Sequence, residues 1–558
     1  QYAVWRLVDT RTGRSLAARR VDGRDMAELA NLMIAEVLPL VSREYGIEET
    51  PVAQSVTTIT TASTEAYKHF VAGILAREEW QHQNAVPRFE QALEYDSTFA
   101  LALFKLSQAH FESGTRGEVV NDYADKAWEL RTRLGIKDGL LLKAWRERLN
   151  LRPRDALSTY QAMLARWPDD REVLGALAQL LFYFWYFDEA GEVARRALSL
   201  YPDDVIITSV GWSSLVYLGH MEEALASIRA FIARNPTKVN GLEELGRRYL
   251  EMGQADSAEV AFRQVLEIDS SNFWAQWGIG NCHYQRGDLN RALETFEHIL
   301  SRSDLLSGQR VDLMTNLRQS ICLSWIHAAA GRFGKALDVF EEAQQLVSDP
   351  EYDARVERNR AWLLLRMRRA EEVLLAARAL AERDVGRYAL AKALENSARA
   401  LVRLDSLESA RRTLQEYLDA AEEWRGSSEY TSHKVSAEIA LAEGNAKRAL
   451  GYLEEMKLYG APYFQGLLGI EYREDLAHAY RLAGRLDEAA EVLKELLRIH
   501  GGHALAHYQL GQILEEMGRT AEAEKEYSTF LRAWADADEG LPQLEYARAR
   551  LAALRAGS

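Results

Sequence analysis

Small residues recur along this chain at a fixed step. Ala156, Ala190, Ala224, Ala258 and Ala292 follow one another at intervals of 34 residues. A period of that length suits a repeated supersecondary unit rather than a single helix or strand. The unit is clearest between Gly241 and Leu300, which reads as two copies of one helical hairpin. Gly246, Gly253, Ala258 and Phe262 of the first copy return as Gly280, Gly287, Ala292 and Phe296, again 34 residues on. Gly246 and Gly280 fall in mid-helix, where glycine costs about 1 kcal/mol relative to alanine. A cost repeated at one register implies another helix passing too close for a side chain. Ala258 and Ala292 supply the matching small site on the second helix, and Phe262 and Phe296, four residues on, fill the hollow. Gly253 and Gly287 break the chain between the two helices. One hairpin cannot bury its apolar face alone, so hairpins must stack.

This set of residues resembles the tetratricopeptide repeat. The resemblance implies an all-α fold, a right-handed α-solenoid superhelix of about 12–13 hairpins. The array begins at Glu65, with Gly73, Ala85, Phe89 and Ala92 in register and Pro87 expected in the opening turn of the second helix, where a missing N–H is harmless. An irregular repeat covers Ala100 to Leu130. Pro168, Pro202 and Pro236 then close three hairpins. Residues 65–304 form the regular array. Over 305–500 the markers Ala336, Ala370, Ala410, Ala449 and Ala489 are mostly spaced more widely, so longer helices or loops are expected. Residues 501–558 hold a last repeat (Leu510, Gly511, Gly518, Ala523) and a closing helix, Pro542–Leu554, whose charged outer face caps the stack.

Ahead of the array, Tyr2–Val8 reads as a strand, Asp9–Gly13 as a turn and Arg14–Arg20 as a returning strand. Asp25 reads as the N-cap of a helix through Met26, Leu29, Met33 and Val37, ending near Tyr45. This partial ββα segment, 1–46, resembles the second half of the small α/β domain at the amino end of TolB-type proteins. Residues 47–64, rich in Thr and Ser, read as a linker. Linker and first repeat together resemble the tetratricopeptide regions behind bacterial serine/threonine kinases and transcriptional regulators. A first residue of Gln rather than Met suggests cleavage or preceding residues.

At 558 residues and 47% hydrophobic, the chain is too long for one compact core, and the repeat period decides for a solenoid. A net charge of -15 argues against nucleic acid as the main partner, since neutralising a phosphate backbone needs clustered Lys and Arg. No run of 18 apolar residues is present, so nothing in the sequence reads as a membrane span. A cytoplasmic protein and the extracytoplasmic part of a membrane-anchored one fit equally. Cys282 and Cys322 fall inside helices and read as buried free thiols. HExxH, GxSxG and P-loop motifs are absent; Gly331–Lys335 is too short for the last, and Gly278 and Gly280 sit within a repeat helix. No catalytic residue and no cofactor is therefore expected. His500, His503 and His507 make the one metal-like cluster, although His507 also occupies a packing slot. Carboxylates spread beside Arg and Lys read as a solvated face.

The resemblance further implies that the first helix of each hairpin lines the hollow of the superhelix. Its inner slots would carry Phe104, Phe111, Trp145, Phe182, Tyr183, Tyr217, Trp274, Trp277, Tyr284 and Trp325, with Tyr67 and Phe70 before them. Aromatic side chains offer large contact area with little rotamer entropy to lose. The six aromatics Phe182–Phe187 cannot all face inward on one helix. Trp277 and Asn281 stand where chaperone-tail binders carry a carboxylate clamp, and Asn240 and Asn281 are too few for an asparagine ladder. With Glu243, Arg247 and Arg318 nearby, the wall suits an extended or helical peptide with apolar anchors. Three functions fit: a non-enzymatic scaffold binding a peptide or partner domain, the sensor part of a larger signalling protein, or a self-assembling protein pairing through its amino-terminal strands.

Overall fold

The computed structural model describes residues 2–8, 15–22, 33, 61–78, 82–113, 118–303, 313–345, 350–382, 386–422, 425–459 and 466–557. The amino-terminal strands β1 (Tyr2–Val8) and β2 (Ser15–Asp22) pair antiparallel, with an irregularity between Leu7 and Val8. The returning strand thus runs two residues further than the sequence suggests. The helix expected over Asp25–Tyr45 lies, Met33 apart, outside the described residues, as does most of the linker.

From Thr64 onward every described element is helical, and 27 α-helices follow one another. Consecutive helices pair as hairpins, from Thr64–Glu78 with His82–Tyr95 to Ala504–Glu516 with Thr520–Ala533, and Pro542–Gly557 closes the chain alone. Two compact units result, Gln1–Pro168 and Asp169–Ser558.

Four hairpins are held by the notch that the sequence implies. A Cβ on Gly246 would stand 2.7 Å from the Phe262 ring, and one on Gly280 would stand 2.8 Å from Phe296. The same pairing joins Gly73 to Phe89 and Gly511 to Tyr527. The alanine markers Ala156, Ala190, Ala224, Ala258 and Ala292 are fully buried, and so are Ala336, Ala410, Ala449 and Ala489 in the wider-spaced region. Pro87 differs from expectation. Its helix begins at His82, so the proline lies in the second turn, and the carbonyl of Gln83 has no N–H four residues on to accept from.

The turn inside a hairpin is a helix C-cap in left-handed conformation. Gly253 has φ +73°; its N–H reaches the Leu250 carbonyl at 3.0 Å, and Gln254 N–H reaches Tyr249 at 2.8 Å. At the equivalent turn of an earlier hairpin the residue is Trp185, φ +64°. The six-aromatic run therefore straddles a turn: Phe182 and Tyr183 end one helix, and Phe187 starts the next.

In the second unit several of the early turns rest on later hairpins. Trp185 meets Tyr430 edge-on at 5.2 Å. Arg498 donates to the Met252 carbonyl, and Gln285 Nε2 donates to Leu250 O and Ile499 O, both at 2.8 Å. Trp534 Nε1 donates to Ala329 O at 2.8 Å, and Asp538 N–H to Gly331 O at 3.0 Å. Gly501 lies against the Gln285 carbonyl with no room for a Cβ. The Gly501–Gly502 pair is thus a point of close approach between hairpins distant in sequence.

Candidate functional site

The slots read as groove-lining fall into separate groups. In the first unit Phe104 and Trp145 are buried and Phe111 is half-buried. Trp145 meets Phe111 edge-on at 5.1 Å and donates its indole N–H to Ser107 Oγ at 2.9 Å, so these rings fasten one hairpin to the next. In the second unit Phe182 and Tyr217 gather round Phe187, with Phe187 and Tyr217 stacked at 4.7 Å. Burial, with Glu251 close by, pushes the Tyr217 hydroxyl up to about 12. Tyr183 is half-buried, edge-on to Phe184 at 5.1 Å.

Two hairpins beyond Tyr217, on Phe273–Gln285, Trp274 and Trp277 are both half-buried and meet edge-on at 6.1 Å. Trp277 donates its indole N–H to Cys322 Sγ of the following hairpin at 3.2 Å, which fixes that ring. Asn281 turns its amide back to the Trp277 carbonyl, 2.9 Å away. Arg247 pairs with Glu244 at 3.0 Å and keeps 43% of its side chain exposed. Glu243 accepts from Asn272, the N-cap of the next first helix, and burial raises its pKa. Tyr284 and Trp325 share the walls of a small cavity with Trp362, Arg366 and His503. Arg318 lies in a stretch whose side chains are outside the described set.

The three histidines take three different partners. His503 bonds Glu474 at 2.9 Å, and His507 bonds Glu526 at 2.5 Å. His500 is buried beside Tyr284; burial, reinforced by Arg473, pushes its pKa down to about 3 and keeps it neutral. Among the described residues no three metal-type side chains converge. Cys282 and Cys322 are both buried and are not joined in a disulfide.

Charged residues on the first helices Arg387–Arg403, Arg425–Ala442 and Gly466–Leu482 do not form the solvated face that their spacing suggests. Glu395, Arg399, Lys434, Glu438 and Glu471 are each 5% exposed or less. Arg399 bridges Glu438, at 3.0 Å, to Glu471, and Lys434 also reaches Glu471. Burial alone would raise the Glu471 pKa, but Arg399 and Lys434 outweigh it and hold the carboxyl far below its usual range. Asp475, one turn on, is pushed up to about 7 by burial and by Glu438, with Arg403 opposing. An acid whose folded pKa is raised costs stability as pH climbs from its unfolded value, 3.8, to about 7. Asp475→Asn should therefore match the wild type near pH 4 and melt higher above pH 7, which melting curves at the two pH values would check.

Two family models of the tetratricopeptide repeat match this chain, one over residues 249–304 and 480–551, the other over 141–205. The spans 249–304 and 480–551 include the notched hairpins of Gly280 and Gly511. This is a tetratricopeptide repeat protein. Protein FlbA of Caulobacter vibrioides is 26% identical to it over 262 residues, which are 44% of this chain and 43% of that protein, so the chain spans under half the length of the curated relative it matches. A tetratricopeptide repeat protein from Parabacteroides merdae is similar in structure at TM-score 0.34 and 17% identity, over 47% of this chain and 98% of that one. The human IFIT1 dimer with PPP-AAAA is similar at TM-score 0.37 and 15% identity, over 71% and 91%. Among the described residues of the tetratricopeptide array, no helix is long and apolar enough to cross a membrane. Tetratricopeptide arrays are protein–protein interaction scaffolds, and this one carries Trp274 and Trp277 half-buried on one first helix.

Proposed function

We propose that the protein is a non-enzymatic scaffold that holds a peptide or partner domain along the first-helix face between Phe182 and Asn281, anchored by aromatic rings. The observation that carries this reading is the Trp274–Trp277 pair: two half-buried indoles in edge contact, one of them locked by Cys322. A ring already fixed loses little entropy when a partner covers it, and buried aromatics dominate most binding surfaces. Tyr183 adds a half-buried ring towards the amino end, whereas Phe182 and Tyr217 pack on the Phe187 cluster, and Arg247 supplies a rim charge. An extended or helical peptide with apolar side chains at regular spacing matches such a wall.

Trp274 is the ring to remove. Trp277 packs with Leu293, Phe296 and Ile326 in one apolar cluster and bonds the next hairpin, so its truncation would also loosen the fold. Partners captured from the source organism by wild type, Trp274→Ala and Arg247→Ala should separate the roles, with melting curves run on each. Trp274→Ala is expected to lose about 2 kcal/mol of binding or more, roughly 30-fold in affinity, at unchanged stability. Arg247→Ala should mainly slow association. Full partner retention by Trp274→Ala would overturn the reading.

A further inference from the structure

The first helix Val239–Glu251, one hairpin before Trp274, carries three carboxylates, Glu243, Glu244 and Glu251, against two guanidinium groups, Arg247 and Arg248. Arg247 pairs with Glu244 at 3.0 Å, and Arg248 reaches Glu244 at 3.0 Å and Glu251 at 2.9 Å. The charge left over belongs to Glu243. Its side chain lies in a residue only 8% exposed, and among the described residues it forms no ion pair. One bond holds it, from Asn272 Nδ2 to Oε1 at 2.8 Å. The other oxygen, Oε2, takes no donor, yet it is not sealed in the interior. A carboxylate so nearly buried with one neutral donor is costly to keep ionised. Burial accordingly raises its pKa, although Asn272 and Arg247 oppose the shift.

Asn272 ties this carboxylate to the aromatic face. Its Nδ2 holds Glu243 while its Oδ1 caps the next first helix, accepting from the Ala275 N–H at 2.9 Å, and Trp274 is the second residue of that helix. Carboxylate and half-buried indole thus stand on successive first helices, joined through one side chain. An open carboxylate oxygen accepts from a cation, and an indole takes either the cation itself or the aliphatic stem that carries it. An acidic segment laid here would add a second unpaired charge, and a wholly apolar one would cover Glu243 without neutralising it. We infer that the partner of the proposed groove presents a basic side chain, lysine or arginine, whose cation pairs with Glu243 and whose stem lies along Trp274. The inference rests on the groove reading above and adds to it the charge of the occupant. The net charge of -15 draws such a partner towards this chain. Because Glu243 gains its counter-charge only when the partner is seated, it selects among partners rather than supporting the fold.

The test uses a phage-displayed library of random peptides, selected on the full chain and, in parallel, on Glu243→Gln and Trp274→Ala. Glu243→Gln keeps the shape and the acceptor for Asn272 and removes only the charge, so it should melt no lower than the wild type. Peptides that bind the wild type and depend on Trp274 should be enriched in Lys or Arg next to an apolar residue. The tightest of them, made synthetically, should bind Glu243→Gln about 30-fold more weakly or worse. Replacing its basic residue by norleucine should cost a similar factor against the wild type and little against Glu243→Gln, since the two changes remove one pair. Trp274-dependent peptides without basic enrichment, or bound equally by wild type and Glu243→Gln, would overturn this inference and leave the groove reading standing. Binders indifferent to Trp274, or no binder at all, would overturn both.

Discussion

Arg399→Ala is expected to cost about 3–5 kcal/mol and to lower the cooperativity of unfolding around residues 387–482. The guanidinium is 5% exposed and bridges Glu438 and Glu471, which are 2% and 5% exposed. Deleting it leaves two buried carboxylates with Lys434 alone to balance them. Much of the cost is then the desolvation of unpaired charge rather than the loss of a favourable bond. Low pH should mimic the mutation. Glu471 has a folded pKa depressed by its cations, so its contribution is full above the unfolded value and disappears as pH falls through the folded one. Denaturant melts of wild type and Arg399→Ala should accordingly converge as the solution is acidified. Replacing Arg399, Lys434, Glu438 and Glu471 together by apolar residues of similar volume, which removes two charges of each sign, should cost far less than Arg399→Ala. Equal stability of Arg399→Ala and wild type at neutral pH would contradict the buried bridge.

Phe296→Ala should cost about 3–5 kcal/mol, and Gly280→Leu about 1–3 kcal/mol or more, for opposite reasons. The Phe296 ring is 1% exposed and fills the notch that Gly280 leaves in the facing helix; a Cβ at Gly280 would stand 2.8 Å from it. Removing the ring opens a cavity, whereas adding a side chain at Gly280 drives it into the ring. The double variant is the informative one. Gly280→Leu with Phe296→Ala places the new side chain in the vacated space, so its loss should be smaller than the sum of the two single losses. Additive losses in a urea-unfolding cycle would mean that the two positions do not face each other.

The notches and alanine markers are legible in the sequence because each expresses a steric need local to one hairpin and repeated at nearly one step. Gly246 and Phe262 are enough to place two helices. The contacts that seat late hairpins on early ones are not legible, since Gln285 and Ile499 are 214 residues apart and nothing local marks them as neighbours. Gly501–Gly502 can be read as a turn, but not that the Gln285 carbonyl lies against it. The charged ladder misleads for another reason. Pairs such as Glu395 and Arg399, or Lys434 and Glu438, have the same four-residue spacing on a wet helix face as on a buried one, and only the wrapping of the array separates the two cases. The aromatic wall is visible in composition, yet its division into packed rings, as at Phe104 and Trp145, and half-open ones, as at Trp274, depends on how each neighbouring hairpin is seated.

The proposed partner surface is the first-helix face around Trp274, and site-specific photo-crosslinking tests it directly. A photoreactive aromatic residue is placed at Trp274 in one variant and at Val260 in another. Val260 is 59% exposed on the adjacent second helix and serves as the outer control. The expected result is a discrete crosslinked partner from position 274, competed by the unlabelled wild type, and none from position 260. Equal labelling from both positions, or labelling from 260 alone, would contradict this placement of the partner.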